Sequence, residues 1–275
     1  MKHYDHFWCG RRLSDAPKVQ VTRLLCLLAH VLHASHASQG TSVWGRWVLF
    51  AELRFFEIYR NQEYLLLLAE GVGLSFALTV GGAALGFILA IALSGARHKR
   101  VPVIGFISAA YIDFIRNTPL VVQMFFVAFG LPLLLGYQWP FWAHALLALL
   151  LNFSAYFAEI LRAGYRMVPE GQIEAAASLG MRPIPTFFLV TFPQAVAGMY
   201  PSLSSQFIFL FLTTGVISEI GARDLTYAGV FIDSRTFRSF EVFLTLTVLY
   251  VLMSLVFKLT LARVQRALFP WWRIS

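Results

Sequence analysis

The chain has 275 residues, 58% of them hydrophobic and 13% charged, with a mean hydropathy of +0.67 and a formal net charge of +8. A soluble domain carries about 25% charged residues, so this composition places the chain in lipid and leaves no polar stretch for a second soluble core. The positive charge is not a nucleic-acid footprint, because the basic residues sit between apolar runs, where the orientation rule for membrane loops accounts for them.

Residues 1–60 form an N-terminal extension of different character. Lys2, Arg11, Arg12, Lys18 and Arg23 precede a short apolar run, 24–32, and then Ala34-Ser35-His36-Ala37. That order is the order of a secretory signal with a small-residue cleavage site near Ala37. An extra short helix and an upstream start codon translated in error stand beside it as equal alternatives. Cys9 and Cys26 are too few for a disulfide framework or a metal cage. His30, His33 and His36 imitate a metal-ligand spacing, but they lie in the signal-like region and are read as chance, so no bound metal is expected.

A spanning helix needs about 20 mostly apolar residues. Five segments qualify: 64–93, 120–135, 141–161, 196–212 and 240–261. A further apolar stretch, 103–115, is expected to pack as a separate helix ahead of a break at Pro119. In the first span Gly82, Gly86, Ala90 and Ser94 recur every four residues. Close helix packing in lipid favours such small residues, and they are read as a packing seam.

Basic residues set the orientation. Arg97, Lys99 and Arg100 follow the first span and are expected in the cytoplasm. Arg162, Arg166 and Arg182 after the third span fall on the same side, as does the tail with Arg263, Arg266 and Arg273. The outer loop 219–239 runs against the rule with Arg223, Arg235 and Arg238, partly offset by Glu219, Asp224 and Asp233. Trp139, Trp142, Trp271 and Trp272 fall near span ends, where interfacial anchoring is the ordinary reading.

The cytoplasmic loop after the third span carries its own helix signature. Pro169 and Glu170 suit a first turn, Glu174 to Leu179 are mostly strong helix formers, Gly180 suits the left-handed closing position, and Pro183 lies just beyond. The spacing predicts a helix of roughly 11 residues, about 16 Å long. It is too short and polar to cross a bilayer, and its alanines leave a thin face that fits a partner's groove.

These residues also carry a resemblance. Glu174-Ala175-Ala176, then Gly180, then Val190-Thr191-Phe192-Pro193 resembles the EAA loop of bacterial ABC importer permeases, which usually close on Ile-x-Leu-Pro. Arg116-Asn117-Thr118-Pro119-Leu120-Val121-Val122-Gln123 is similar to the Arg-Gly-Thr-Pro-Leu-x-x-Gln stretch of the polar amino acid branch. So are Ala155 to Ile160 with Arg162, Gly171-Gln172-x-Glu174, Pro201 to Ile208, and Thr236-Phe237-x-x-Phe240-Glu241. Two departures stand out. Asn117 replaces the usual glycine, and Leu212-Thr213-Thr214-Gly215-Val216 stands where the family often has Lys-x-Thr-Ser-Leu. The missing lysine bears on substrate preference or on contacts at the outward gate, so no single amino acid is assigned.

The resemblance implies an all-α integral membrane protein with about five transmembrane helices and a cytoplasmic coupling helix, the type-1 ABC importer permease architecture. It implies a permease domain over 61–266 and a cytoplasmic tail over 267–275. Glu174, Ala175, Ala176, Gly180 and Pro193 would couple the chain to a cytoplasmic ABC ATPase subunit. The other implied partners are a second permease subunit, identical or sister, and a periplasmic or surface-anchored substrate-binding protein, all at the bacterial inner membrane. No phosphate-cradling Gly-x-x-x-x-Gly-Lys-Ser/Thr loop and no catalytic constellation occur, so ATP and Mg belong to the partner and this chain is not expected to be an enzyme.

Arg116, Thr118, Glu159 and Gln206 are the candidates for the substrate path. Thr118 and Pro119 read as the N-cap and first residue of the second span. Arg116 either faces the path or pairs with Asp113 one turn back, with local pairing the favoured expectation. Glu159 is an intramembrane carboxylate and so a functional candidate, with neutralisation by Arg162 as the structural alternative. Two rival functions remain at this stage: a stand-alone secondary transporter of small polar solutes, and a membrane scaffold that does not transport. Scarce intramembrane carboxylates and the absence of an evident inverted repeat weigh against the first.

Overall fold

A computed structural model describes residues 55–98 and 102–271 of the chain. The signal-like run, both cysteines and the three clustered histidines lie outside the described residues.

A short helix α1 (Phe55–Arg60) leads into α2 (Gln62–His98), with Asn61 Oδ1 accepting the Glu63 N–H at 3.0 Å between them. At 1.5 Å per residue a helix of 37 residues is about 55 Å long, well beyond a hydrocarbon core of about 30 Å. The described residues hold four helices long and apolar enough to span, Gln62–Arg97, Phe141–Met167, Pro183–Ile220 and Ser239–Leu268. A fifth candidate is the pair Val103–Arg116 and Leu120–Leu135, bent by 108°. This agrees with the five spans and the break expected from sequence.

The bend is built from Asn117-Thr118-Pro119, between α3 (Pro102–Arg116) and α4 (Leu120–Leu135). Proline supplies no N–H and pushes the preceding residue out of the helical region, so the last carbonyls of α3 lose their helical donors. In a bilayer water cannot replace them, and side chains do so instead. Asn117 Nδ2 donates to the Asp113 carbonyl at 2.7 Å, and Thr118 Oγ1 donates to the Phe114 and Ile115 carbonyls at 3.0 and 3.2 Å. Gln123 Nε2 donates to the Ile115 and Thr118 carbonyls at 2.7 and 3.1 Å and to Thr118 Oγ1 at 2.7 Å. The sequence reading of Thr118 as an N-cap is thereby corrected. Pro119 itself holds the N-cap position of α4 with no side-chain bond, and Thr118 closes α3, because its hydroxyl is the nearer donor for stranded carbonyls.

Helix α5 (Phe141–Met167) lies along α2. Close approaches pair Gly81 with Leu146, Gly82 with Leu149, Gly86 with Phe153 and Ser94 with Tyr165. Both numbers rise together, so the helices are parallel and Arg97 and Arg162 lie toward the same membrane end. The expected small-residue seam is the contact surface. A Cβ on Gly82 would meet Leu149 Cβ at 3.0 Å, Ala90 and Ser94 are wholly buried, and Ser94 Oγ bonds the Ala90 carbonyl at 2.6 Å and Tyr165 Oη at 3.1 Å.

The fourth span, α7 (Pro183–Ile220), begins well before the predicted 196. A π-helical turn over Phe187–Thr191 precedes Pro193. A widened turn accommodates a ring that has no N–H and crowds the preceding carbonyls, so the column runs through the proline. The outer segment 219–239, expected as loop, contains α8 (Leu225–Thr236). Asp224 caps it by accepting the Tyr227 N–H at 2.8 Å, and Leu225, Ala228, Gly229 and Ile232 turn one buried stripe inward. Helix α8 packs on α2, where Ser75 Oγ accepts the Leu225 N–H at 3.1 Å, and on α9 (Ser239–Leu268). Phe257 of α9 meets Phe207 and Phe211 of α7 edge to face, with ring centroids 5.0 and 4.9 Å apart. Two of the three arginines that broke the charge rule are engaged locally, Arg235 over the Phe231 ring at 5.1 Å and Arg238 with Glu241 at 3.4 Å.

Candidate functional sites: a loop helix and a polar cavity

Helix α6 (Glu170–Ser178) occupies the loop between the third and fourth spans and is slightly shorter than predicted. Gly180 takes the left-handed conformation, φ +74°. Its N–H donates to the Ala177 carbonyl at 2.9 Å, and the Met181 N–H donates to the Ala176 carbonyl at 3.1 Å. This is the full Schellman closure, which turns the chain sharply back toward α7. Glu174 and Ala175 are exposed, and the Glu174 carboxylate makes no ion pair among the described residues. Ala176 points the other way and is 4% exposed, because successive residues on a helix are about 100° apart. The outward surface therefore differs from the sequence reading: Ala176 seats α6 on its own chain, and Leu179, 82% exposed, supplies the apolar knob instead. A leucine at a helix terminus in a charged loop was the available signal. Pro193 lies inside the α7 column, partly buried, and not on the loop surface with Glu174. Beneath α6 a hollow of about 280 Å³ is lined by Ile173, Ala177, Met181, Pro183, Phe187 and Thr191 among others.

The second site is a cavity of about 510 Å³ at the α3–α4 break. Arg116, Asn117 and Thr118 form one wall, Asn152 and Tyr156 of α5 another, and Phe209, Leu210 and Thr213 of α7 a third. Arg116 does not pair with Asp113, which corrects the favoured expectation. No ion pair joins them among the described residues, and the guanidinium lies over the Tyr156 ring with 5.7 Å to the centroid. A cation–π contact of this kind attracts the charge to the ring face, and the planar fork of N–H donors matches a carboxylate. Gln123 fixes the wall opposite: its nitrogen is committed to carbonyls, so its Oε1 must accept, and Asn152 Nδ2 donates to it at 3.0 Å. Asn152 Oδ1 is left buried without a partner among the described residues.

Glu159 is held away from this cavity. It pairs with Arg162 on its own helix and with Arg97 of α2 at 3.4 Å, so one carboxylate ties two guanidinium groups. Gln206 lies one turn before Leu210 and two before Thr213 on the same face of α7, with its amide nitrogen buried and without a partner among the described residues, and does not line the cavity.

The profile of the family described as binding-protein-dependent transport system inner membrane component matches residues 82–274. The octopine transport system permease protein of Rhizobium meliloti is 34% identical over 217 residues, covering 76% of this chain and 88% of that protein. The glutamine transport system permease protein of Escherichia coli is 32% identical over 202 residues, covering 73% and 92%. Among solved structures, an amino acid ABC transporter crystallised with histidines shares 33% identity at a TM-score of 0.67, covering 74% of this chain and 95% of that one. A methionine ABC transporter at 19% identity and a TM-score of 0.66 shares the fold. With four spanning helices and a fifth candidate in the bent pair, a helix set in the loop between two spans and a family profile matched over residues 82–274, this chain belongs to the inner membrane components of binding-protein-dependent transport systems.

Proposed function

We propose that the chain is the permease subunit of an ATP-driven importer of polar amino acids, with α6 as its coupling helix. The observation that carries this is α6 itself: a short helix outside the spans, closed by Gly180, with Glu174, Ala175 and Leu179 turned outward. Its parallel neighbours α2 and α5 end in Arg97, Arg162 and Arg166 on that side, which supports a cytoplasmic position. A cytoplasmic ABC ATPase subunit, holding ATP and Mg, receives the helix. Glu174 anchors it through charge-assisted hydrogen bonds, and displacement passes to α7 as a rigid body through the Schellman turn and the π turn before Pro193. Residues 61–266 form the transport domain and 267–275 a cytoplasmic tail. A second permease subunit completes the pathway, and an external binding protein delivers the solute. Arg116 and Thr118 lie on the substrate path, whereas Glu159 is a structural counter-ion. The names of the relatives, which include glutamine and octopine permeases, support amino acids and their derivatives as the solute class.

The test is co-purification of an ATPase with the chain and with Glu174→Lys and Gly180→Asp variants. Residue 180 faces open space at a positive φ, so the aspartate strains the turn without a clash. Loss of the ATPase from variants that still insert is the expected result. Equal retention by all three, or no ATPase with any, would remove the coupling role and favour a stand-alone transporter.

A further inference from the structure

We infer that the cavity at the α3–α4 break selects solutes that carry a carboxylate and an ammonium on one centre and no second cation. These are neutral and acidic amino acids and their acidic derivatives, gripped by Arg116 and Asn117. The inference rests on the import reading above and adds to it a charge selection and a residue that performs it.

Arg116 is the one charged residue lining the cavity. Its guanidinium carbon lies over the Tyr156 ring, 5.7 Å from the centroid, a cation–π contact that holds the cation at the cavity wall, and its fork of N–H donors matches a planar carboxylate. Asn117 is adjacent, exposed and part of the same wall. Because its Nδ2 donates to the Asp113 carbonyl at 2.7 Å, the amide orientation is set and Oδ1 is the atom turned outward. A carbonyl oxygen beside a guanidinium matches the two charges of an amino acid head. Glycine at this position, the family's usual residue, would supply no such acceptor.

A cationic side chain finds nothing equivalent. The remaining polar lining groups, Thr118, Asn152 and Thr213, are neutral. The carboxylate one turn along α5 from Tyr156, Glu159, is already shared by Arg97 and Arg162. Counting Arg97, Arg116 and Arg162 against Asp113 and Glu159, the surroundings carry three positive and two negative charges, a net +1. Charges act over longer distances in the low dielectric of a membrane interior than in water, so this excess opposes arginine or lysine and favours glutamate or glutamine.

The experiment measures binding of radiolabelled L-glutamine, L-glutamate and L-arginine to the purified permease–ATPase complex without the external binding protein, so that only the transmembrane site selects. The expected result is that L-arginine binds at least about tenfold more weakly than the other two, a difference of about 1.4 kcal/mol. Arg116→Gln and Asn117→Gly each weaken glutamine and glutamate by about tenfold or more, roughly the loss of one charge-assisted or buried hydrogen bond. Phe209→Glu, which puts a carboxylate on the exposed cavity wall, moves the preference toward L-arginine. Equal affinity of the wild type for arginine and glutamine overturns the charge selection and leaves amino acid import standing. Unchanged profiles in Arg116→Gln and Asn117→Gly overturn the assignment of the two residues. No binding of any amino acid by the wild type overturns both this inference and the import reading beneath it.

Discussion

Phe153 leaves no room above Gly86: a Cβ built on that glycine would lie 2.7 Å from Phe153 Cβ and 3.1 Å from the Leu150 carbonyl oxygen and the Ser154 nitrogen. Two of those three atoms are backbone and cannot swing aside. Gly86→Ala must therefore part α2 from α5, with an overpacking cost of about 1–3 kcal/mol. Gly82→Ala meets no backbone atom, its tightest neighbour being Leu149 Cβ at 3.0 Å and the next the Phe153 ring at 3.6 Å, and should cost less, while Gly73→Ala meets nothing within 4 Å among the described residues and should be neutral or mildly stabilising. Thermal unfolding of the three variants in detergent reads the order directly. Equal midpoints would mean that the seam does not hold the helices together.

Gln123 is the clamp of the α3–α4 break. Replacing it with leucine takes the side-chain donor from the Thr118 carbonyl, leaves the Ile115 carbonyl only the longer 3.2 Å bond from Thr118 Oγ1, and removes the acceptor for Asn152 Nδ2. Each stranded buried group costs about 1–3 kcal/mol, and the break between α3 and α4 loosens. Gln123→Leu should lower the unfolding midpoint and speed amide exchange around Asn117 and Thr118, while Gln123→Glu, which keeps the acceptor and loses the donor, should give a similar loss. A glutamate variant as stable as the wild type would show that the nitrogen is not the working end.

Much of this architecture was legible in the sequence because lipid permits few alternatives. The five apolar segments, the break at Pro119, the every-fourth-residue seam and the glycine closure of the loop helix each follow from local rules. What escaped depends on partners distant in sequence or on direction. Arg116 lies over Tyr156, forty residues along the chain, and nearby Asp113 was the only partner that spacing could suggest. Thr118 can cap in either direction, and the stranded carbonyls of α3 decide which. Helix α8 did announce itself, through Asp224 and the stripe of Leu225, Ala228, Gly229 and Ile232, but its charged residues made the segment read as loop. Ala176 turns inward because the next helical position points about 100° away, which a three-letter motif does not reveal.

Glu159→Gln should separate a structural carboxylate from a substrate-binding one. The change leaves Arg97 and Arg162 without their shared counter-ion. Hydrogen bonds to charged groups contribute about 1.5–3 kcal/mol each, and these side chains are about a quarter exposed, so a total of about 1–3 kcal/mol is expected after screening. Amino acid affinity of the surviving folded protein should match the wild type, in contrast to Arg116→Gln. A variant with unaltered stability and weakened solute binding would return Glu159 to the substrate path.

Asp224 gives the outer segment a pH dependence with an unusual sign. It is wholly buried; one carboxylate oxygen caps α8 through the Tyr227 N–H and the other has no partner among the described residues. Burial pushes its pKa from 3.8 up to about 6, the hydrogen bonds from the cap opposing the rise only in part. Between those values the folded state holds the proton that the unfolded state has released, so stability falls as pH rises through the window. The contribution is fully present below 3.8 and lost above about 6, and a shift of that size corresponds to about 3 kcal/mol. Asp224→Asn keeps a cap oxygen and cannot ionise. Subtracting its unfolding midpoint from that of the wild type at each pH from 4 to 7 cancels the other carboxylates. The difference should decline steadily across the window and level off above it, and a flat difference would mean that the Asp224 carboxylate is already ionised throughout the window and contributes nothing to the pH dependence of folding.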